Sequence, residues 1–329
     1  MKASIREGWG RIFFFLPELP SQVQIEVTNR CNLNCLMCPR DALGVVKEDM
    51  PLALFKKIVD KIEGVSLVTL TGWGEPFIHP DLFPMIDYCK GRGLKVKLTT
   101  NGILVEEALQ KRVIDSGLDS VTFSLEDTQG KNHDAHSGKK AIENLKGLLN
   151  LRKGKAPEVV IQTTLHQGEE NSLYELIGLG AEIGVDRINL ARLDVRFNLS
   201  LKRPSLPEEK EIFKVAERLG MEKGTQVDFI PYAVSQGMER LSYRILRRCL
   251  HRFGRYCLRL YDYLYINLRG EVTPCCSLPL YPVGNILKED LKTIWRGGRL
   301  KAFRTMQKKI CGDCDQLEVS YNKRCSPGS

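Results

Sequence analysis

No stretch of this 329-residue sequence approaches the ~20 apolar residues needed to cross a bilayer. A secretory signal is absent as well: the apolar run from Ile12 to Leu16 is too short for a signal core and stops at Pro17. These two absences decide how the eleven cysteines are read. In a small secreted chain they would suggest a disulfide scaffold. In a chain this long without a signal they suggest metal ligands in a reducing, cytoplasmic setting. The interleaved aromatic and basic motifs of nucleic-acid modules are also missing, which argues against a basic, zinc-bearing nucleic-acid binder despite a net charge of +9. The excess of 49 Lys+Arg over 40 Asp+Glu suits an anionic partner or a solvated face. With 43% hydrophobic and 27% charged residues, the chain can build one large α/β domain and a smaller one.

What is present begins with an alternation. Residues 1–21 form an apolar and basic leader, expected to dock on the fold or touch a membrane surface. Strands are expected at 22–28, 66–71, 94–99, 120–124, 159–164 and 187–190, the first with alternating β-branched residues. Helices are expected between and after them, near 51–62, 81–89, 105–115, 139–152 and 172–183, followed by one near 207–219. An extended piece near 226–229 comes next. Six strand–helix units in a row predict parallel strands with right-handed crossovers.

Three cysteines, Cys31, Cys35 and Cys38, fall within eight residues on the loop leaving the first strand. Three thiolates can hold a metal centre but cannot close it. Structural zinc takes four protein ligands, whereas a cubane cluster on three thiolates keeps one iron open. After the next strand comes Gly72-Trp73-Gly74-Glu75-Pro76, where glycines allow close backbone approach and Glu75 offers a carboxylate. Thr100-Asn101-Gly102 ends the third strand and Ser124-Leu125-Glu126-Asp127 the fourth. Chemistry in parallel α/β folds gathers at such strand ends.

The chain here resembles the radical SAM superfamily. That resemblance implies a partial (β/α)6 barrel of the TIM type. It implies a [4Fe-4S] cluster on Cys31, Cys35 and Cys38, with S-adenosylmethionine bound to the open iron and cleaved to a 5′-deoxyadenosyl radical. Met37 then packs near the adenine, and Gly74 and Glu75 bind the methionyl amine. Asn101 lies near the cofactor, and Ser124 reaches the ribose or carboxylate. The family's Ser-x-Asp-Gly is not kept: Glu126 stands in the third place and no glycine follows. The pair His133 and His136 is expected on a solvent-exposed loop.

Seven further cysteines follow residue 248. Cys257 and Cys275 flank a hairpin expected to turn at Arg269-Gly270, which brings them to one end. A helical stretch with Leu291, Ile294 and Trp295 follows, and Cys311 and Cys314 have the spacing of a metal loop. Spacing alone fits a zinc site as well as an iron–sulfur cluster. This region resembles the SPASM and twitch extensions, small α+β domains that hold auxiliary [4Fe-4S] clusters. The SPASM pattern is incomplete, since Ser320 stands where a cysteine is expected. The resemblance therefore implies one auxiliary cluster on Cys257, Cys275, Cys311 and Cys314, with Cys325 as rival fourth ligand and Cys249 and Cys276 as spares. The linker at 240–259 carries seven arginines and reads as an amphipathic helix, an anion site or a membrane-surface helix.

These readings divide the chain into a leader at 1–21, a barrel at 22–236 and an auxiliary-cluster domain with a basic linker at 237–329. They imply an oxidoreductase that removes a hydrogen atom from a C–H position, with the auxiliary cluster as electron acceptor. The expected partners are a reductant such as flavodoxin or ferredoxin and a substrate that is a small molecule, lipid-like or a peptide, with an anionic one favoured by the charge. The short leader tilts the expectation toward a small or lipid-like substrate over a peptide.

Overall fold

The computed structural model describes residues 17–40, 43–44, 46–126, 128, 135–195, 201–229, 257–311 and 314. Seven parallel strands run in sequence order: β1 (Gln22–Ile25), β2 (Leu67–Leu70), β3 (Lys95–Thr100), β4 (Ser120–Ser124), β5 (Glu158–Leu165), β6 (Arg187–Arg192) and β7 (Gln226–Phe229). Helices α1 (Leu52–Val59), α2 (Leu82–Gly91), α3 (Glu107–Asp115), α4 (Ala135–Leu151), α5 (Glu170–Ile183) and α6 (Leu206–Lys223) connect them. Because spatial order follows chain order, every crossover advances the same way and the helices all cover one face. The extended piece at 226–229 pairs in parallel with β6. The barrel sheet therefore has seven strands where six units were read. Gly224, with φ +76, ends α6 and turns the chain into β7.

The two faces of the sheet differ in chemistry. Val23 and Ile25, Val68 and Leu70, Val96 and Leu98, and Val121 and Phe123 turn toward the helices and are buried. Most of the alternate positions are polar, among them Gln24, Thr69, Lys97, Thr99, Thr122, Ser124, Gln162 and Asn189, with Leu67, Val160 and Ala191 apolar. Apolar residues thus anchor the outer layer, and the inner wall is left largely hydrophilic.

The other edge is finished by the chain's last third. β8 (Tyr263–Ile266) pairs in parallel with β1, and β9 (Glu271–Thr273) and β10 (Gly284–Asn285) follow it antiparallel. The β8–β9 turn forms at Arg269-Gly270, where Gly270 takes φ +74. Helices α7 (Leu291–Arg296) and α8 (Gly298–Cys311) pack behind it with Ile294, Trp295, Leu300 and Phe303 buried. One ten-stranded sheet therefore runs through both halves.

Candidate active site

The loop after β1 is a closed excursion. Asn29 N–H donates to the Glu48 carbonyl, and Glu48 N–H donates to Asn29 Oδ1 at 2.7 Å. Inside it, Cys38 N–H donates to the Cys35 carbonyl at 3.0 Å, and the buried Arg40 donates from Nη2 to the Leu33 carbonyl. All three thiols are half-buried. Leu33 N–H points at Cys31 Sγ from 3.4 Å, and Asn101 Nδ2 lies 3.9 Å from the same sulfur. Donors aimed at sulfur suit a thiolate. The Cys35 thiol is pushed up to about 12, first by burial and then by Cys38, Cys31 and Glu126. A cationic iron centre reverses that cost, so the donor set fits a three-thiolate cluster.

The Gly72–Pro76 segment is seated directly on this loop. A Cβ on Gly74 would stand 2.4 Å from the Arg30 carbonyl oxygen, and one on Gly72 would stand 2.4 Å from Glu26 Cγ. Gly74 is thus required by the backbone of the loop and Gly72 by the Glu26 side chain, apart from any ligand. Glu75 is buried. Its Oε1 accepts from Phe77 N–H and Thr100 Oγ1 (2.8 Å), and its Oε2 accepts from Asn101 N–H (2.7 Å). The carboxylate braces the β3 corner and keeps lone-pair capacity at Oε2 for one further donor. Burial pushes its carboxyl up to about 7. Asn101 also donates to Asn32 Oδ1 at 2.8 Å, joining the β3 corner to the cysteine loop. Met37 is half-buried in that loop, beside an exposed Leu36. Ser124 lies half-buried on the inner wall in register with Gln162. Glu126 is buried and accepts from Thr164 N–H at 2.8 Å.

The second thiol group comes from separate elements. Cys257 opens a short turn, and its N–H donates to Gln307 Oε1 on α8 at 3.0 Å. Cys275 follows β9, and its carbonyl accepts from Thr273 Oγ1 and Leu278 N–H. Cys311 ends α8 and is buried, and Cys314 N–H donates to its carbonyl at 3.1 Å. Burial, then Cys276, Cys257 and Cys314, raise the Cys275 thiol well above its ordinary value, and Arg259 pulls it back. Cys257, Cys275 and Cys314 therefore share one locality. Cys276, read from sequence as a spare, sits in it too. Cys325, Cys249, His133 and most of the arginine-rich linker lie outside the described residues, as does the side chain of His136.

The two thiol groups occupy opposite ends of one strand pair. The first leaves the C-terminal end of β1. The second gathers at the N-terminal end of β8, since Thr273 pairs with Tyr265 and Cys275 lies two residues on. Four residues at ~3.3 Å each put the ends roughly 10 Å or more apart. Inner-wall side chains that the sequence reading missed fill the interval. Tyr263 OH donates to Gln24 Oε1 at 2.6 Å, and Tyr265 stands beside the buried Glu26. Tyr-Leu-Tyr-Ile alternates, which is their only local signal. A cavity of about 440 Å³ at the opposite strand ends from Cys31, lined by Gln22, Lys95 and Lys97 among others, lies away from the first thiol loop. No helix among the described residues is long and apolar enough to cross a membrane.

The radical SAM superfamily model matches residues 25–179, and the SPASM model, an iron–sulfur cluster-binding domain, matches 257–315. A tungsten-containing aldehyde ferredoxin oxidoreductase cofactor-modifying protein of Pyrococcus furiosus is 24% identical, over 88% of this chain and 86% of that one. A PqqA peptide cyclase of Xanthomonas euvesicatoria is 22% identical, over 92% of this chain and 82% of its own. The crystal structure of Streptococcus suis SuiB shares the fold with a TM-score of 0.70 at 18% identity, covering 88% of this chain and 68% of SuiB.

Proposed function

The chain belongs to the radical SAM superfamily and carries a SPASM domain, and on that premise we propose that it oxidises a C–H position of a peptide substrate. When bound, its cluster and S-adenosylmethionine supply a 5′-deoxyadenosyl radical, and an auxiliary cluster supplies an acceptor for a second electron. Cys31, Cys35 and Cys38 hold the first cluster in this reading. Gly74, Glu75, Asn101, Ser124 and Met37 surround S-adenosylmethionine. Cys257, Cys275, Cys311 and Cys314 hold the second, with Cys325 as rival. The barrel then spans 22–236 and the auxiliary domain 237–329, in a reducing cytoplasmic setting with flavodoxin or ferredoxin as donor.

The observation that supports it best is the placement of two thiol groups at opposite ends of the β1–β8 pair, with a polar wall between. A substrate on that wall can lose a hydrogen atom toward one end and an electron toward the other. The tilt toward a small or lipid-like substrate gives way to a peptide because two relatives point there. One carries the name of a peptide cyclase, and SuiB has been crystallised with its precursor peptide SuiA.

The test is anaerobic turnover of reconstituted, reduced protein with S-adenosylmethionine and peptides encoded beside its gene. A peptide lighter by two hydrogens, with one 5′-deoxyadenosine per product, supports the reading. Product formed from a trace of S-adenosylmethionine without net oxidation points to an isomerase-like reaction instead.

A further inference from the structure

The two thiol groups differ in the fixed charge beside them. Around Cys35 the charged neighbours are Cys38, Cys31 and the carboxylate of Glu126, held at the end of β4 by Thr164 N–H. Arg40, in the same loop, gives its Nη2 to the Leu33 carbonyl and Asn34 Oδ1. Around Cys275 the picture is inverted. Arg259 lies two residues past Cys257 on the turn at Leu258–Tyr261, and its guanidinium covers the Tyr263 ring at 4.3 Å. That ring belongs to the inner wall, since Tyr263 OH bonds Gln24. Cys276, Cys257 and Cys275 are the thiols that act on this guanidinium, and no carboxylate pairs with it among the described residues.

We infer that Arg259 is the counter-cation of the auxiliary cluster and lifts its reduction potential above that of the radical cluster, which Glu126 holds low. The inference rests on the proposed two-cluster reading. A cluster becomes more negative by one unit on reduction, so a neighbouring cation favours the reduced form and an anion the oxidised form. Arginine stays charged at any working pH, so no titration is involved. Arg259 is exposed, and stacking on the buried Tyr263 holds its guanidinium over the inner-wall ring. The electron balance is simple. The substrate, already short of a hydrogen atom, gives up one electron and one proton. The auxiliary cluster gains the electron, and the proton passes to water. A higher potential makes that transfer downhill and keeps the cluster from competing as reductant of S-adenosylmethionine.

The test is spectroscopic redox titration of the reconstituted holoprotein, following both clusters in the wild type, Arg259→Gln and Arg259→Lys. A variant with Cys31, Cys35 and Cys38 all changed to Ala gives the auxiliary signal alone. In Arg259→Gln the auxiliary midpoint should fall while the radical-cluster midpoint stays. Arg259→Lys, which keeps the charge but not the planar stack, should lie between. Glu126→Gln should raise the radical-cluster midpoint only. If Arg259→Gln loses auxiliary iron, the lysine variant and Glu126→Gln carry the comparison. An auxiliary midpoint unmoved in an iron-replete Arg259→Gln protein, or both midpoints moving equally, overturns the inference and leaves the two-cluster reading standing. No auxiliary signal in the wild type overturns both.

Discussion

The two thiol groups are built in opposite ways. Cys31, Cys35 and Cys38 sit on one loop of eight residues, braced by Arg40, Asn101 and the Gly72–Pro76 segment. Cys257, Cys275, Cys311 and Cys314 come from a turn, a hairpin exit, a helix end and the loop after it. The first group is a local motif whose thiols cannot separate far even in a loosened chain. The second exists only when the hairpin and α8 are docked, so its assembly carries the loop-closure cost of long-range contacts. Damage to the first should be chemical and confined, while damage to the second should spread into packing.

The largest expected effect is on chemistry. Cys35→Ala should reduce S-adenosylmethionine cleavage at least about 100-fold by removing a ligand, as read from 5′-deoxyadenosine. Unchanged cleavage would break the assignment of the loop. Next, the triple variant of Cys31, Cys35 and Cys38 should keep about one cluster's worth of iron and sulfide. Zinc alone would remove the auxiliary cluster, and two residual clusters would bring in Cys325, Cys276 or Cys249.

A pH effect follows from Glu75, whose carboxyl is raised to about 7 by burial. The fold favours the protonated form. Glu75 therefore stabilises fully below about pH 4.5, and that contribution is lost as pH rises through 7. Over the full range the loss is on the order of 3 kcal/mol. The thermal midpoint should fall between pH 5 and 7 in the wild type and change less in Glu75→Gln; equal slopes would show that Glu75 is not the titrating group. Gly74→Ala forces a Cβ against the Arg30 carbonyl. It should cost about 2 kcal/mol of stability and lower cleavage together with it; a neutral result would mean the loop is not seated as described. Smallest is Tyr263→Phe, which removes the 2.6 Å bond to Gln24. About 1 kcal/mol is expected in denaturant unfolding, with the first centre untouched.

Legibility in the sequence follows the same division. Alternating strands and amphipathic helices declared the barrel because each element is hydrophobic at its own period, as Val96 and Leu98 show against Lys97 and Thr99. The cysteine triad was legible as a group because its three thiols are neighbours in the chain. The strand at 226–229 was legible as extended, but its membership in the sheet was not, since four residues carry no information about partners. The pairing of β8 with β1 had no local signal at all. Glu26, Tyr265 and Arg259 are single residues whose meaning comes from that pairing. Gly72 and Gly74 read as room for a ligand, whereas the structure gives that room first to Glu26 and to the cysteine-loop backbone.

The seating of β8 against β1 also bears on biosynthesis. Gln24 must wait for Tyr263, 239 residues later, before its hydrogen bond can form. At ~5–20 residues per second on the ribosome, the strand that leads into the three-cysteine loop keeps an open edge for roughly ten to fifty seconds. An unpaired edge is an invitation to wrong partners. The nascent chain thus emerges with its three-cysteine loop attached to a strand that has only one of its two final neighbours. Cells that make this protein at high level, or in air, should recover more of it aggregated than cells that make it at low level and without oxygen.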